Sequence, residues 1–111
     1  MFIKDEILKQ SNDFKALCQI HKVKYVYAFG SSITDKFDTL KSDIDLLVDI
    51  DDPDPIERGE KLISLWDKFE LFFQRKVDLL TDSSIQNPYL RKSIDSTKIL
   101  IYDGHGSKIL I

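Results

Sequence analysis

An α/β fold, with a small mixed sheet of about four strands and helices packed on it, is predicted by three features of the sequence. Four short runs are rich in β-branched and aromatic residues, which favour strands. A long segment with helical periodicity separates the second run from the third and is long enough to be a crossover connection. The 111 residues are 42% hydrophobic and 32% charged, which suits a globular chain with one modest core.

The first half of the chain is predicted to contain one helix and two strands. Apolar residues at helical spacing predict a helix over residues 3–21, which Ser11-Asn12-Asp13 weakens in the middle. Val23–Phe29 is the first strand and Ile44–Ile50 the second. Between them, Gly30-Ser31-Ser32 ends the first strand and can open a short helical turn.

The second half begins with a helix over residues 55–74, for which Asp54 is a suitable N-cap. Trp66 lies in its apolar stripe, where a core position is a more common role than stacking on a base. Lys76–Leu80 is the third strand. A short helix over Pro88–Ser96 then leads to a fourth strand, Lys98–Tyr102, expected at the edge of the sheet.

Residues 1–103 are predicted to form a single domain, and residues 104–111 a flexible C-terminal tail. Gly104 and Gly106 favour mobility in this tail, although Ile109–Ile111 could dock on the domain.

Composition excludes several classes of function. The net charge of −3 argues against broad binding of nucleic acid. The single Cys18 cannot form an internal disulfide and no Cys/His cluster suggests zinc, a pattern that suits a reducing cytoplasm. The acidic start of the chain is unlike a secretory signal, and no apolar run approaches the length of a membrane span.

Three aspartates predict a metal site. Asp43-Ile44-Asp45 begins the second strand, and Asp78 lies in the third. Residues two apart in a strand project to the same face, so Asp43 and Asp45 are expected side by side, with Cα atoms about 7 Å apart. Clustered carboxylates repel one another, whereas Mg²⁺ binds them together with water and substrate phosphates. Taken singly, Asp43 fits a cap at the start of a strand and Asp45 fits a surface position on the strand. Taken together, the three aspartates favour a site for two metal ions.

The Gly30-Ser31 pair adds a candidate phosphate site. Glycine lets the backbone approach a ligand closely, and a helical turn that starts here offers free N–H groups. On its own, the dipeptide fits a plain turn better than a ligand site, because Gly-Ser ends many strands.

These residues resemble the minimal nucleotidyltransferases of the DNA polymerase β superfamily. The resemblance rests on Phe29–Ser31, Ser42–Val48 and Val77–Leu79, and it covers the chain from Val23 to Tyr102. Eleven residues separate Ser31 from Asp43, one more than is usual in this family. The longer loop leaves open which of Ser32, Lys36 and Lys41 contacts the ligand.

The resemblance implies a nucleotidyltransferase-type fold and a role for each candidate residue. Gly30 and Ser31, with Ser32 beside them, would bind the triphosphate of ATP. The three aspartates would ligate Mg²⁺, and Asp78 could also receive the proton of the acceptor.

The resemblance also implies a partner. Small stand-alone members resemble the antitoxin half of toxin–antitoxin pairs, and they transfer AMP from ATP to a tyrosine hydroxyl on a HEPN ribonuclease toxin. The chain is then expected in a homo- or hetero-oligomer, since its acceptor is bound elsewhere. Two alternatives stay open: a non-catalytic module that masks its partner's surface, and nucleotide transfer to RNA or a small molecule whose site lies on another chain.

Overall fold

A five-stranded sheet in the order β3-β2-β1-β4-β5 forms the centre of the computed structural model, which describes residues 1–34 and 42–111. The strands are β1 (Val23–Phe29), β2 (Ile44–Ile50), β3 (Val77–Leu80), β4 (Ile99–Asp103) and β5 (Lys108–Ile109). Strands β2 and β3 are parallel, and the other neighbours are antiparallel. The predicted mixed sheet is confirmed, with one short strand more than expected. Lys36 and Lys41 lie outside the described residues.

Four α-helices accompany the sheet in the described part of the chain: α1 (Phe2–Lys9), α2 (Ser11–Ile20), α3 (Pro55–Phe73) and α4 (Pro88–Thr97). The helix predicted over residues 3–21 is divided at Gln10, whose φ of −136° is not helical. The predicted start of α3 is confirmed, because the Asp54 carboxylate accepts a hydrogen bond from the N–H of Ile56 at 3.0 Å. No helix within the described ranges is long and apolar enough to cross a bilayer.

The two faces of the sheet are covered unequally. Ile44, Leu46 and Val48 point from β2 into a large core built with buried side chains of α1, α2 and α3. The alternate residue Leu47 faces the other side, in a smaller cluster with Phe29 and with two isoleucines from the region of α4, Ile85 and Ile94. Because the second cover is small, the β2 residues that share its face are partly exposed at the strand ends.

The C-terminal segment pairs with the sheet. Tyr102 is opposite Ile109, and Ile101 accepts a hydrogen bond from the N–H of Leu110 at 3.0 Å. Strand β4 therefore lies between β1 and β5, and its expected place at the edge was wrong. The mobility expected for residues 104–111 stays a prediction.

Candidate active site

The candidate site lies where β1 ends and where β2 and β3 begin. The antiparallel register places Phe29 opposite Asp45, and the parallel register places Asp45 opposite Asp78. Side chains opposite each other on neighbouring strands share one face, about 5 Å apart at the backbone. Asp43 is the residue immediately before β2. The register thus brings Asp45 and Asp78 side by side. Asp43 lies next to them, just before the first residue of β2.

Gly30 provides the floor of the site. It begins a 3-10 turn over Gly30–Ile33 and has a φ of +66°, a left-handed conformation that side chains disfavour. A Cβ atom at this position would lie 2.7 Å from Oδ2 of Asp45. The Asp45 carboxylate therefore occupies space that only a glycine leaves open.

The two serines of the turn differ in their surroundings. The Ser32 side chain is fully buried, and its hydroxyl accepts a hydrogen bond from the N–H of Asp45 at 2.7 Å. This bond ties the turn to the start of β2. Ser31 is partly exposed, and its carbonyl accepts a hydrogen bond from the N–H of Thr34 at 3.2 Å. The expected contacts of Gly30, Ser31 and Ser32 with a nucleotide stay predictions.

The electrostatics of the site centre on Asp45. Burial is the main cause that raises the pKa of Asp45 to about 6, and the negative charges of Asp78 and Asp43 raise it further. Within the described chain, one basic group approaches the three aspartates: Nζ of Lys76 lies 3.9 Å from Oδ2 of Asp43, with the lysine side chain largely exposed and the aspartate side chain partly exposed. Among the described residues, no basic side chain pairs with Asp45. Its carboxylate is half-buried and crowded by like charges, an environment that a cation would stabilise.

The donor set fits Mg²⁺ better than a soft metal, because all three side chains offer carboxylate oxygens. In the part of the chain that the structure describes, no group of three His, Cys, Asp or Glu side chains is close enough to form a ready-made metal cluster. A cation held here would therefore need further ligands. Mg²⁺ usually obtains them from water and from the phosphates of its substrate.

Two residues of α3 contact the site's backbone and were not expected from the sequence. The Trp66 indole N–H donates to the carbonyl of Val77 at 2.6 Å, and the Glu70 carboxylate accepts from the N–H of Val77 at 3.0 Å. Trp66 was expected in the apolar stripe of the helix, but it remains 37% exposed. Its spacing of four from Glu70 places both on one helix face. The sequence alone does not indicate that this face abuts β3.

Comparison with known proteins identifies the family of the chain. A model of the nucleotidyltransferase domain matches residues 13–101. Two relatives from Methanocaldococcus jannaschii carry the names "Putative protein adenylyltransferase MJ0126" and "Putative protein adenylyltransferase MJ1217". They are 40% and 38% identical to this chain over 96 residues, a match that spans 86% of this chain and 92% of each relative.

Solved structures show the same fold. One, described as a toxin-antitoxin with AMP-PNP, contains a chain that is 26% identical and aligns with a TM-score of 0.57. The alignment covers 85% of this chain and 73% of that chain. A second, described as a "putative minimal nucleotidyltransferase", is 24% identical with a TM-score of 0.56, covers 85% and 92% of the two chains, and supports the fold alone.

Proposed function

This chain belongs to the nucleotidyltransferase domain family, and from that premise we propose that it acts as a minimal nucleotidyltransferase. In the proposed reaction it transfers AMP from ATP, with Mg²⁺, to a hydroxyl group of a partner protein. The observation that carries the proposal is the pairing of Asp45 with Asp78 across β2 and β3, against the glycine floor at Gly30. No basic side chain among the described residues forms an ion pair with either carboxylate. Such a pair is suited to a cation that arrives with a triphosphate.

The proposed reaction is an in-line displacement at the α-phosphorus of ATP. The acceptor oxygen forms a bond to this phosphorus as the bond to the bridging oxygen of the β-phosphate breaks, and pyrophosphate leaves. The acceptor proton passes to the carboxylate of Asp78, which is exposed and so accessible to a second molecule. Mg²⁺ bound by Asp43, Asp45 and Asp78 would supply charge neutralisation at the phosphoryl oxygens.

Other residues of the turn have supporting roles in this proposal. The N–H groups of the turn that starts at Gly30, together with the Ser31 hydroxyl, bind the β- and γ-phosphates. A helix N-terminus or turn with free N–H groups is a common binding site for such anions. Ser32 supports the site indirectly, because its buried hydroxyl accepts the hydrogen bond from the N–H of Asp45.

We propose that the acceptor is a tyrosine of a HEPN ribonuclease toxin and that the chain is its antitoxin. The resemblance to small stand-alone nucleotidyltransferases implies this partner. Two observations support it: the relatives from Methanocaldococcus jannaschii are each named "Putative protein adenylyltransferase", and the neighbour at 26% identity comes from a structure described as a toxin-antitoxin with AMP-PNP.

The chain offers a matched pair of variants for the test. The tripeptide Asp-Ile-Asp occurs at residues 43–45 and again at residues 49–51. We expect Asp43→Asn/Asp45→Asn to lower the rate of AMP transfer by about a thousandfold, because several kcal/mol of charge stabilisation are lost and each 1.4 kcal/mol is tenfold. Asp49→Asn/Asp51→Asn makes the same chemical change and should retain the wild-type rate. The measurement is transfer of ³²P from [α-³²P]ATP to the purified HEPN protein.

The outcomes separate the proposal from its alternatives. If neither variant changes the labelling, the site is not catalytic. If the wild-type chain labels nothing but the 43/45 variant still suppresses toxicity in cells, the chain is a module that masks its partner. Labelling of RNA in place of the protein would identify a nucleic acid acceptor.

A further inference from the structure

The strand that carries Asp78 is the most weakly supported strand of the site. β3 has four residues, lies at one end of the sheet and pairs only with β2 in the described structure. A short edge strand has free peptide groups along its outer side and little to fix their orientation. A carboxylate that must meet a cation precisely needs a firmer backbone than this, because metal sites depend on the groups that orient their ligands.

Two side chains of α3 bind these outer peptide groups. Trp66 donates its indole N–H to the carbonyl of Val77 at 2.6 Å, and Glu70 accepts the Val77 N–H at 3.0 Å. The Val77 carbonyl belongs to the same rigid peptide unit as the N–H of Asp78. A hydrogen bond to this carbonyl therefore fixes the plane that precedes the Cα atom of Asp78. On the other side, the carbonyl of Lys76 accepts the N–H of Ile44 from β2 at 3.0 Å.

We propose that Trp66 and Glu70 are positioning residues for the transfer reaction. They hold both peptide groups of Val77 from outside the sheet, and in this way they set the direction in which the Asp78 carboxylate meets the metal. The inference rests on the proposed function, in which Asp78 is the third metal ligand. A purely structural role would be to protect the edge strand, and such a role would leave metal binding unchanged.

The test measures binding of Mn²⁺ in the presence of AMP-PNP by titration calorimetry on the full chain, so that no turnover is needed. Trp66→Phe keeps an aromatic ring but removes the N–H. We expect it to weaken Mn²⁺ binding about tenfold, as the loss of a group that orients a metal ligand typically does. Glu70→Met should have a similar effect, whereas Glu70→Gln keeps an acceptor oxygen and should bind Mn²⁺ nearly as the wild type does. Leu71→Ala, at a 65% exposed position of the same helix, is the control.

A double-variant cycle shows whether the effect passes through Asp78. Asp78→Asn should weaken Mn²⁺ binding by itself, and adding Trp66→Phe to it should change little further. Equal losses from Trp66→Phe with and without Asp78 would overturn the inference, as would wild-type Mn²⁺ affinity in Trp66→Phe. If the wild type binds Mn²⁺ and transfers AMP, and Trp66→Phe has the same Mn²⁺ affinity and transfer rate, the inference fails but the proposed function stands. Absence of Mn²⁺ binding in the wild type would overturn both.

Discussion

The tripeptide Asp-Ile-Asp occurs at each end of strand β2, and the acidic side chains Asp45 and Asp52 near the two ends lie in opposite electrostatic surroundings. At the first copy, the Asp45 carboxylate faces Asp78 and the floor at Gly30, and the pKa of Asp45 rises to about 6. The second copy leads into Asp52, whose carboxylate is buried and accepts a hydrogen bond from Nζ of Lys61 at 2.6 Å.

At the second end of β2, the acidic turn that leads into α3 has hydrogen-bond partners for the carboxylates of Asp52 and Asp54. The hydrogen bond from Lys61 is the main cause that lowers the pKa of Asp52, and the N–H of Asp54 contributes a second bond at 3.0 Å. Arg58 donates to the Asp52 carbonyl at 3.0 Å, and Asp54 caps α3. Asp52 beside the second copy is therefore paired with a lysine, whereas Asp45 in the first copy has no basic partner among the described residues. Among the described residues, the absence of a basic partner, rather than the number of acids, therefore distinguishes the candidate carboxylate of Asp45 from the structural carboxylate of Asp52.

Apart from substitutions of the aspartates, the largest loss of AMP transfer is expected on substitution of Gly30, which leaves room for the Asp45 carboxylate at the first end of β2. In Gly30→Ala, the left-handed backbone costs about 1–2 kcal/mol of stability. The new Cβ atom also displaces the Asp45 carboxylate, which lies 2.7 Å from its position. A displacement of about 1 Å at a reacting centre can lower a rate about 100-fold. AMP transfer and chemical denaturation measure the two effects.

The control for this variant is Gly59→Ala. Gly59 lies within α3, and a Cβ atom there would have no neighbour within 4 Å. Alanine should stabilise the helix by about 0.5–1 kcal/mol and leave the rate unchanged. If Gly30→Ala behaved like Gly59→Ala, the close approach of Gly30 to Asp45 would not be needed for function.

Much of this contrast could be predicted from the sequence, because local rules govern it. Alternation along β2 predicts that Asp45 faces away from the core, and Asp54 before Pro55 predicts the start of α3. The pairing of Asp45 with Asp78 depends on the register of two strands that a 19-residue helix separates, and no local rule fixes that register. The bonds from α3 to Val77 are equally remote, since they depend on how the helix lies along the sheet.

A second prediction uses the opposite pKa shifts at the two ends. The folded pKa of Asp45, about 6, lies above its ordinary value of 3.8, so ionised Asp45 lowers the stability of the metal-free protein. This cost is complete above pH 6 and vanishes as the pH falls below about 4. Asp45→Asn should therefore stabilise the metal-free protein by about 1 kcal/mol at pH 7, a value that allows for partial solvent screening. Urea denaturation at several pH values measures the gain.

Asp52→Asn provides the contrast at the other end. Because the pKa of Asp52 is lowered, its ionised form stabilises the fold above its ordinary pKa of 3.8, and this contribution is lost as the pH falls through the folded pKa. Asp52→Asn should therefore be destabilised at pH 7 and approach the wild type in acid, with its rate of transfer at pH 7 unchanged. Parallel pH profiles for the two variants would contradict the comparison.

The smallest effect is expected at Lys76, the one basic residue near the first end within the described structure. Its Nζ lies 3.9 Å from Asp43, and the two side chains are 72% and 40% exposed. A pair this exposed contributes no more than about 0.5 kcal/mol, so Lys76→Met should barely change the denaturation midpoint. Since the lysine competes with a cation for Asp43, the Mg²⁺ concentration for half-maximal transfer should fall, by no more than about twofold, which is what 0.5 kcal/mol allows. Lys92→Met, on the exposed surface of α4, is the matched control. If Lys76→Met instead required more Mg²⁺, Lys76 would contact the phosphates of the substrate. The first end of β2 would then contain a functional lysine beside its aspartates.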